Sequence, residues 1–302
     1  MRRVLSVHFA PCALFVAGVL ALVRAGSFSG RSDWAAVVPQ RSAAVLGLLV
    51  MVVAGAALLG LLLQPFQVRA VRVLEGYWDR WPVTARLAGM LIGIQRRRWQ
   101  ALRNGVSTTA ETNATTKRVR ADAARRLYAC PPVDALMPTA LGNALRAGEL
   151  KAGERYGLST LASWPSLHMQ VSDRAAVVLY STRDALDAAV NLCWCFLALI
   201  PVSCLALYDE PGLWWTWACE VLLAAAAYKG AVTAAQTYAS LMHVMYDLHR
   251  FDLAKALHYS LPADPQSERE LFAQVSDLLS GRGLPDLQYE HPGDWAKRPG
   301  SS

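Results

Sequence analysis

The fold is decided by the stretch AAVNLCWCFLALIPVSCLAL, residues Ala188–Leu207. It carries no charge, and as a helix it is long enough to cross about 30 Å of hydrocarbon. A polar turn, Tyr208–Gly212, separates it from a second apolar run that begins at Leu213. The helical pattern of this second run continues into a polar segment that ends near Leu257. We therefore predict a transmembrane hairpin over residues 188–228 and a helical cytoplasmic extension over residues 229–280.

Two further apolar segments lie near the start of the sequence, at Val4–Val23 and Ala43–Leu63. The first could be a signal peptide, but its apolar run exceeds the usual ~7–15 residues of such a peptide, which favours an uncleaved span. The second is rich in small residues, and Gly55 and Gly60 predict close packing against another helix. Residues 1–65 are therefore predicted to form an N-terminal transmembrane pair.

The connection between the two apolar pairs, residues 66–187, is polar and basic. Between Gln67 and Tyr128 it carries 13 Lys and Arg against four Asp and Glu. The positive-inside rule predicts a cytoplasmic helical domain, with both termini inside a bacterial inner membrane. Three basic residues of the first outer loop, Arg24, Arg31 and Arg41, mildly disagree with this topology. Residues 281–302 are predicted to be a disordered tail.

The composition agrees with membrane insertion, because 54% of the residues are hydrophobic and the mean hydropathy is +0.24. The net charge of +7 is concentrated beside a predicted span. This favours the bilayer and its anionic lipid headgroups as partners, rather than nucleic acid. Five of the six cysteines lie in apolar runs and are expected to be buried free thiols. No metal or cofactor motif is recognised.

Four polar residues fall in or near the predicted C-terminal hairpin: Glu220, Asn191, Lys229 and Asp187. Counting depth along an antiparallel hairpin brings Lys229 close to Asp187, although Lys229 could instead extend to the lipid headgroups. Glu220 could be protonated, line an aqueous path or face an oligomer partner, because intramembrane carboxylates are functional candidates by default. The alternative is an interfacial Glu beneath the neighbouring tryptophans.

The same depth count brings Asp173 and Arg174 level with Asp247 and Arg250, which predicts ion pairs that stabilise a long two-helix stalk. His243 lies one helical turn before Asp247 and could form half of a metal site. A histidine that is hydrogen-bonded within a helical bundle is the simpler interpretation.

A cluster of polar residues is set among apolar ones between Pro138 and Pro165: Asn143, Arg146, Glu149 and Arg155. Charged groups in such a setting need partners, so the cluster is either structural or a binding site. The motifs here, Leu141–Glu149 and Arg155–Gly157, are joined later by Tyr246–Leu253. Together they resemble a group of bacterial, actinobacterial-type integral membrane proteins with a C-terminal transmembrane hairpin and no assigned activity. The resemblance covers roughly residues 136–275 and implies membrane location, with no catalytic role for any residue.

The sequence thus predicts an all-α membrane protein with four transmembrane helices and a helical cytoplasmic domain. The favoured function is a non-enzymatic scaffold, sensor or effector subunit, and small-residue spans with an unpartnered Glu220 favour a homo-oligomer. One alternative is a homo-oligomeric channel or transporter whose path is lined by Glu220, Asn191 and Lys229. Another is an enzyme acting on a lipid-linked substrate at the Asn143–Arg155 cluster.

Overall fold

A computed structural model describes residues 7–79, 81–107, 114–283 and 289–290. Within these ranges the chain is all-helical, and its one β-type pairing is an isolated bridge between Tyr259 and Tyr289. This confirms the predicted all-α class. Much of the predicted C-terminal tail, and residues 4–6 of the first predicted span, lie outside the described residues.

Ten helices, numbered here in chain order, are described. They are α1 (Phe9–Arg24), α2 (Ser42–Leu63), α3 (Gln67–Glu75), α4 (Pro82–Ser107), α5 (Ala114–Tyr128), α6 (Ala140–Lys151), α7 (Thr160–His168), α8 (Asp173–Ala206), α9 (Trp214–Ala256) and α10 (Pro265–Leu279). Short 3-10 turns precede several of them, including Glu154–Tyr156 before α7.

The chain divides into two compact units whose segments alternate along the sequence. The first, called here the membrane unit, combines the described residues up to Leu91 with Pro138–Gly142 and Ser181–Ala235. The second, called the polar unit, combines the described residues of 92–137, 143–180 and 236 onward. Residues 67–91, expected in the cytoplasmic domain, therefore group with the apolar helices.

Three helical segments are long and apolar enough to cross a membrane: Ser42–Glu75, Asp173–Ala206 and Pro211–Ala256. At most 28% of the most apolar window of each is buried inside the chain, so their apolar surfaces need lipid or protein around them. The molecule is thus a helical membrane protein. Helix α1 has 16 residues, or about 24 Å, which is shorter than the three spanning segments. The structure does not confirm four spans.

Helices α8 and α9 follow the hydropathy pattern closely. Helix α8 is continuous over 34 residues and α9 over 43. Both helices extend beyond the predicted hairpin, as the helical pattern of the flanking sequence indicates. Helix α1 packs against α2, and a Cβ at Gly55 would lie 3.1 Å from the Val16 side chain. The small face predicted for this span is therefore confirmed as a packing surface.

The core of the polar unit is built on aromatic residues. Tyr246 and Phe272 are fully buried, and the Trp164 ring stacks on Tyr246 with centroids 6.0 Å apart. Gly157 has φ +89°, and a Cβ there would lie 2.8 Å from the Arg269 carbonyl oxygen, so only glycine fits. Helix α10 is capped by a capping box, in which the Asp264 side chain accepts from the Ser267 amide and the Ser267 side chain bonds back to Asp264.

Candidate functional site

Asp247 on α9 is the centre of a polar network in the polar unit. One carboxylate oxygen accepts hydrogen bonds from Arg155 and from the Tyr156 hydroxyl, at 2.5 Å each. The other oxygen lies 3.0 Å from Nε2 of His243, one helical turn earlier. Burial raises the pKa of the Tyr156 hydroxyl, and its bond to Asp247 raises it further, so Tyr156 is a neutral donor. Asp247 therefore orients an imidazole on one side and fixes the Glu154–Tyr156 turn on the other.

Arg250 extends this network to α10. Its guanidinium donates to Glu268 at 2.7 Å and also to the Asp247 carbonyl oxygen. It lies 4.3 Å from the ring centroids of both Tyr156 and Phe251, within cation–π range. Both side chains of the Arg250–Glu268 pair are less than one-fifth exposed. The pair therefore ties α9 to α10 in a largely desolvated setting.

The polar cluster predicted between Asn143 and Arg155 divides into three separate arrangements. Asn143 is buried, accepts from the Met137 amide and donates to the Met137 carbonyl, which is a loop-fixing role. Arg146 pairs with Glu149 at 2.9 Å and with Glu154 at 3.0 Å. Arg155 belongs to the Asp247 network. The structure thus joins Arg146 with Glu149 and assigns Asn143 and Arg155 to other partners.

The predicted stalk pairs are wrong. Asp173 and Arg174 are exposed, whereas Asp247 and Arg250 contact Arg155, His243 and Glu268. The depth count compared only α8 with α9, but the Glu154–Tyr156 turn and α10 also supply partners for α9. Tyr156, Glu154 and Glu268 were missed for this reason. The four-residue spacing of His243 and Asp247 was the one usable signal in the sequence, and the bundle interpretation of that histidine agrees with its bond to Asp247.

A cavity of about 440 Å³ lies beside this network in the polar unit. Helices α5, α6 and α9 line it, and most of its wall is small and apolar, from Ala144, Ala147, Gly148, Ala239 and Val244. The polar lining residues are Tyr128, Lys151, Gln236, Ser240 and His243. The volume is that of a site for a small organic molecule.

Lys151 is the residue that gives this cavity its charge. Its ammonium nitrogen lies 3.4 Å from the centroid of the Tyr128 ring, in a cation–π contact. Burial lowers the pKa of the Lys151 ammonium, because partial desolvation disfavours the charged form. A partly desolvated ammonium without a carboxylate in the cavity wall is a favourable partner for an anion.

The polar residues predicted in the membrane unit have different hydrogen-bond and ion-pair partners. Glu220 is half-buried, and its Oε2 lies 2.7 Å from Oγ of Ser203 on α8. Asn191 donates to the Val7 carbonyl oxygen and contacts His8. The Asp187 carboxylate lies 3.9 Å from Nε of Arg183, and Lys229 is exposed. The structure therefore pairs Asp187 with Arg183 and not with Lys229, the predicted partner.

Among the described residues, no three His, Cys, Asp or Glu side chains gather as a metal site would require. Comparison with protein-family models, with curated proteins and with solved structures finds no match for this chain. The resemblance to bacterial membrane proteins thus stays a prediction from the motifs.

Proposed function

We propose that this protein is a membrane-anchored sensor subunit whose polar unit binds a small organic anion in the cavity between α5, α6 and α9. The observation that carries the proposal is one cavity wall that combines the half-buried Lys151 ammonium with an imidazole, His243, oriented by Asp247. The sequence favoured a non-enzymatic membrane subunit, and this proposal adds the class of ligand and the cavity that binds it.

The lining defines the chemistry of the ligand. Lys151 is the only Lys, Arg, Asp or Glu among the described residues that line the cavity. The rest of the lining is largely alanine with glycine and valine, which suits an apolar body. A carboxylate or phosphate with an aromatic or aliphatic body satisfies both parts, and a free inorganic ion satisfies only the first.

The network behind His243 offers a route from ligand to protein. A ligand that contacts His243 acts on the pair that this imidazole forms with Asp247. Asp247 also holds Arg155 and Tyr156, and Arg250 connects the same region to Glu268 on α10. A ligand that binds one arrangement of this network better than another shifts the population of the two arrangements, which is what sensing requires.

Lys151→Met tests the site, because methionine keeps the unbranched side chain and removes the charge. Phenyl phosphate and benzoate are the anionic probes, benzyl alcohol is the neutral one, and calorimetry on the full chain in detergent gives the affinities. We expect the anions to bind and Lys151→Met to weaken them at least about tenfold, the loss of one charge-assisted hydrogen bond. Lys117→Met on exposed α5 surface is the matched control. Equal binding of benzyl alcohol, or equal effects of the two substitutions, contradicts the proposal.

Placement of the polar unit in the cytoplasm is part of the proposal and is supported by the basic charge of residues 67–128. A phosphatase reporter fused after Trp99 is expected to be inactive and a fluorescent-protein fusion at the same position bright. The reverse pattern contradicts the topology. The channel alternative predicts ion flux in proteoliposomes that Glu220→Gln alters, and an unchanged flux removes it.

A further inference from the structure

The membrane unit contains a second cavity, of about 380 Å³, lined by residues of α1, α2, α3 and α8 and by His8 before α1. Its wall is mostly apolar, from residues such as Pro11, Phe15, Leu59, Leu63, Trp194 and Ala198. Three polar side chains, His8, Gln67 and Asn191, also line it. A largely apolar cavity with a few convergent polar groups is the usual form of a small-molecule site.

The hydrogen bonds of Asn191 determine which ring nitrogen of His8 carries the proton. The Asn191 amide nitrogen lies 3.1 Å from Nδ1 of His8 and 3.3 Å from the Val7 carbonyl oxygen. An amide nitrogen is a donor only, so Nδ1 accepts and the neutral ring carries its proton on Nε2. Within the described part of the chain no hydrogen bond involves His8 Nε2. His8 thus provides an N–H donor that a ligand can use.

Gln67, at the first position of α3, provides a second donor. Its side-chain amide nitrogen is buried, and no acceptor among the described residues lies within hydrogen-bonding distance of it. A buried donor without an acceptor destabilises a fold, because nothing replaces the hydrogen bond that it made to water. The Ala70 carbonyl, on the same helix, accepts a hydrogen bond from Trp194 Nε1 instead. An acceptor supplied by a ligand removes this penalty.

The charge of the lining selects the class of ligand. None of the described residues that line the cavity is Lys, Arg, Asp or Glu. An anionic headgroup would therefore be desolvated there without a counter-charge, and a cation would meet two hydrogen-bond donors, His8 and Gln67. A neutral molecule with a carbonyl oxygen and an apolar body fits the two donors and the apolar wall.

We propose that this cavity binds a neutral apolar lipid through a carbonyl oxygen that accepts hydrogen bonds from Gln67 and His8. This chemistry has two sources in a membrane, the ring carbonyl of a quinone and the ester carbonyl of an acylglycerol. The site is separate from the anion cavity of the polar unit, and neither proposal depends on the other.

The test compares two carbonyl compounds with a ring compound that has no carbonyl group. Menadione represents the quinone class, dioctanoylglycerol represents the ester class, and 2-methylnaphthalene matches the menadione ring system without its carbonyls. Binding to the full chain in detergent is measured by calorimetry. We expect at least one carbonyl compound to bind at least tenfold more tightly than 2-methylnaphthalene. Tight binding of menadione alone assigns the site to quinones, and tight binding of dioctanoylglycerol alone assigns it to acylglycerols. Binding of all three with equal affinity, or of none, overturns the proposal.

Gln67→Leu separates a ligand role from a structural one. It removes the buried donor and keeps an apolar side chain of similar size, so we expect a tenfold loss of carbonyl-ligand affinity with an unfolding temperature that is unchanged or higher. Gln64→Leu, three residues earlier and exposed, is the matched control and leaves binding unchanged. Unchanged affinity in Gln67→Leu overturns the proposal. His8→Phe provides the second variant, with the same expected loss, if the first fails to fold.

Discussion

The membrane unit and the polar unit are stabilised by different chemistry. In the membrane unit, α1 and α2 approach each other at glycines such as Gly55, and its polar contacts are isolated pairs such as Ser203–Glu220. In the polar unit, buried rings surround Tyr246, and the ion pairs and hydrogen bonds around Asp247 form a branched network. Lipid provides no hydrophobic force between helices, so close packing matters more in the first unit. Exclusion from water drives the packing of the second.

The largest effect that this contrast predicts is at Gly157 in the polar unit. Gly157→Ala places a side chain at φ +89° and 2.8 Å from the Arg269 carbonyl oxygen. The left-handed conformation costs about 1–2 kcal/mol, and the clash raises the total to about 3 kcal/mol. Thermal unfolding of the full chain in detergent, followed by tryptophan fluorescence, measures the loss.

Gly281→Ala is the matched control for this substitution. Gly281 also has a positive φ, +69°, but no atom lies within 4 Å of the position of its Cβ. Only the conformational cost of about 1–2 kcal/mol is expected there. Equal destabilisation by the two substitutions would show that the packing of Gly157 against Arg269 contributes nothing.

The next largest effect concerns the Arg250–Glu268 pair. Glu268→Gln leaves the Arg250 guanidinium with little solvent, since the two side chains are 17% and 13% exposed. We expect a loss of about 2 kcal/mol, which replacement of both residues by Met and Leu reverses in large part. The exposed pair Asp277–Arg282 is the control, and Asp277→Asn is expected to cost less than about 0.5 kcal/mol. If the Arg250–Glu268 pair contributed nothing to stability, Glu268→Gln and Asp277→Asn would cause equally small losses in the free energy of unfolding.

These residues also show how far sequence reasoning reaches. The all-α class, the continuous α8 and α9 and the small face at Gly55 follow from periodicity and composition, which are local properties of the chain. The long-range partners of Asp247 and Arg250 were not predictable in this way. Arg155 is 92 residues from Asp247 in sequence, and Glu268 lies on a helix that follows a separate turn. A count of depth along two helices contains no information about a third or a fourth element.

The cavities escaped prediction for a related reason. Lys151 ends one helix and His243 lies amid a long one, so nothing in the sequence places the two side chains together. Their common cavity exists because α5, α6 and α9 leave a space beside the contact of Gly148 with Ala239, where a Cβ would lie 2.5 Å from the Ala239 Cβ. Space between helices depends on side-chain packing and not on hydropathy.

A smaller effect is expected from Tyr156→Phe, which removes one donor to Asp247 and keeps the ring beneath Arg250. The loss is about 1 kcal/mol near neutral pH. Because the folded pKa of Tyr156 is raised above its unfolded value, the hydroxyl contributes fully below a pH of about 10 and loses its contribution as the pH rises through the folded pKa. Unfolding curves of the two proteins therefore converge at alkaline pH. A difference that stays constant up to high pH contradicts the assignment of Tyr156 as the donor.

The smallest effect lies in the membrane unit and tests the contrast itself. Ser203 Oγ lies 2.7 Å from Glu220 Oε2 and 3.0 Å from the Ile200 carbonyl oxygen. A hydroxyl has one proton, so both contacts are hydrogen bonds together only when Glu220 is protonated and donates to Ser203. Glutamine also donates, and Glu220→Gln is therefore expected to unfold like the parent protein. Ser203→Ala breaks the pair and costs about 0.6 kcal/mol, the average for such bonds between membrane helices.

The relative effects of Glu220→Gln and Ser203→Ala decide whether Glu220 is neutral or ionised. If Glu220→Gln destabilises the protein as much as Ser203→Ala does, the carboxylate is ionised within an apolar helix pair and must have a compensating partner or water. The membrane unit would then contain a charge as important as those of the polar unit, and the contrast between the two units would fail. If only Ser203→Ala has an effect, a neutral pair holds α8 to α9. Small residues and single neutral hydrogen bonds are then sufficient for a unit whose apolar surfaces face lipid, because there a buried charge costs more than it contributes.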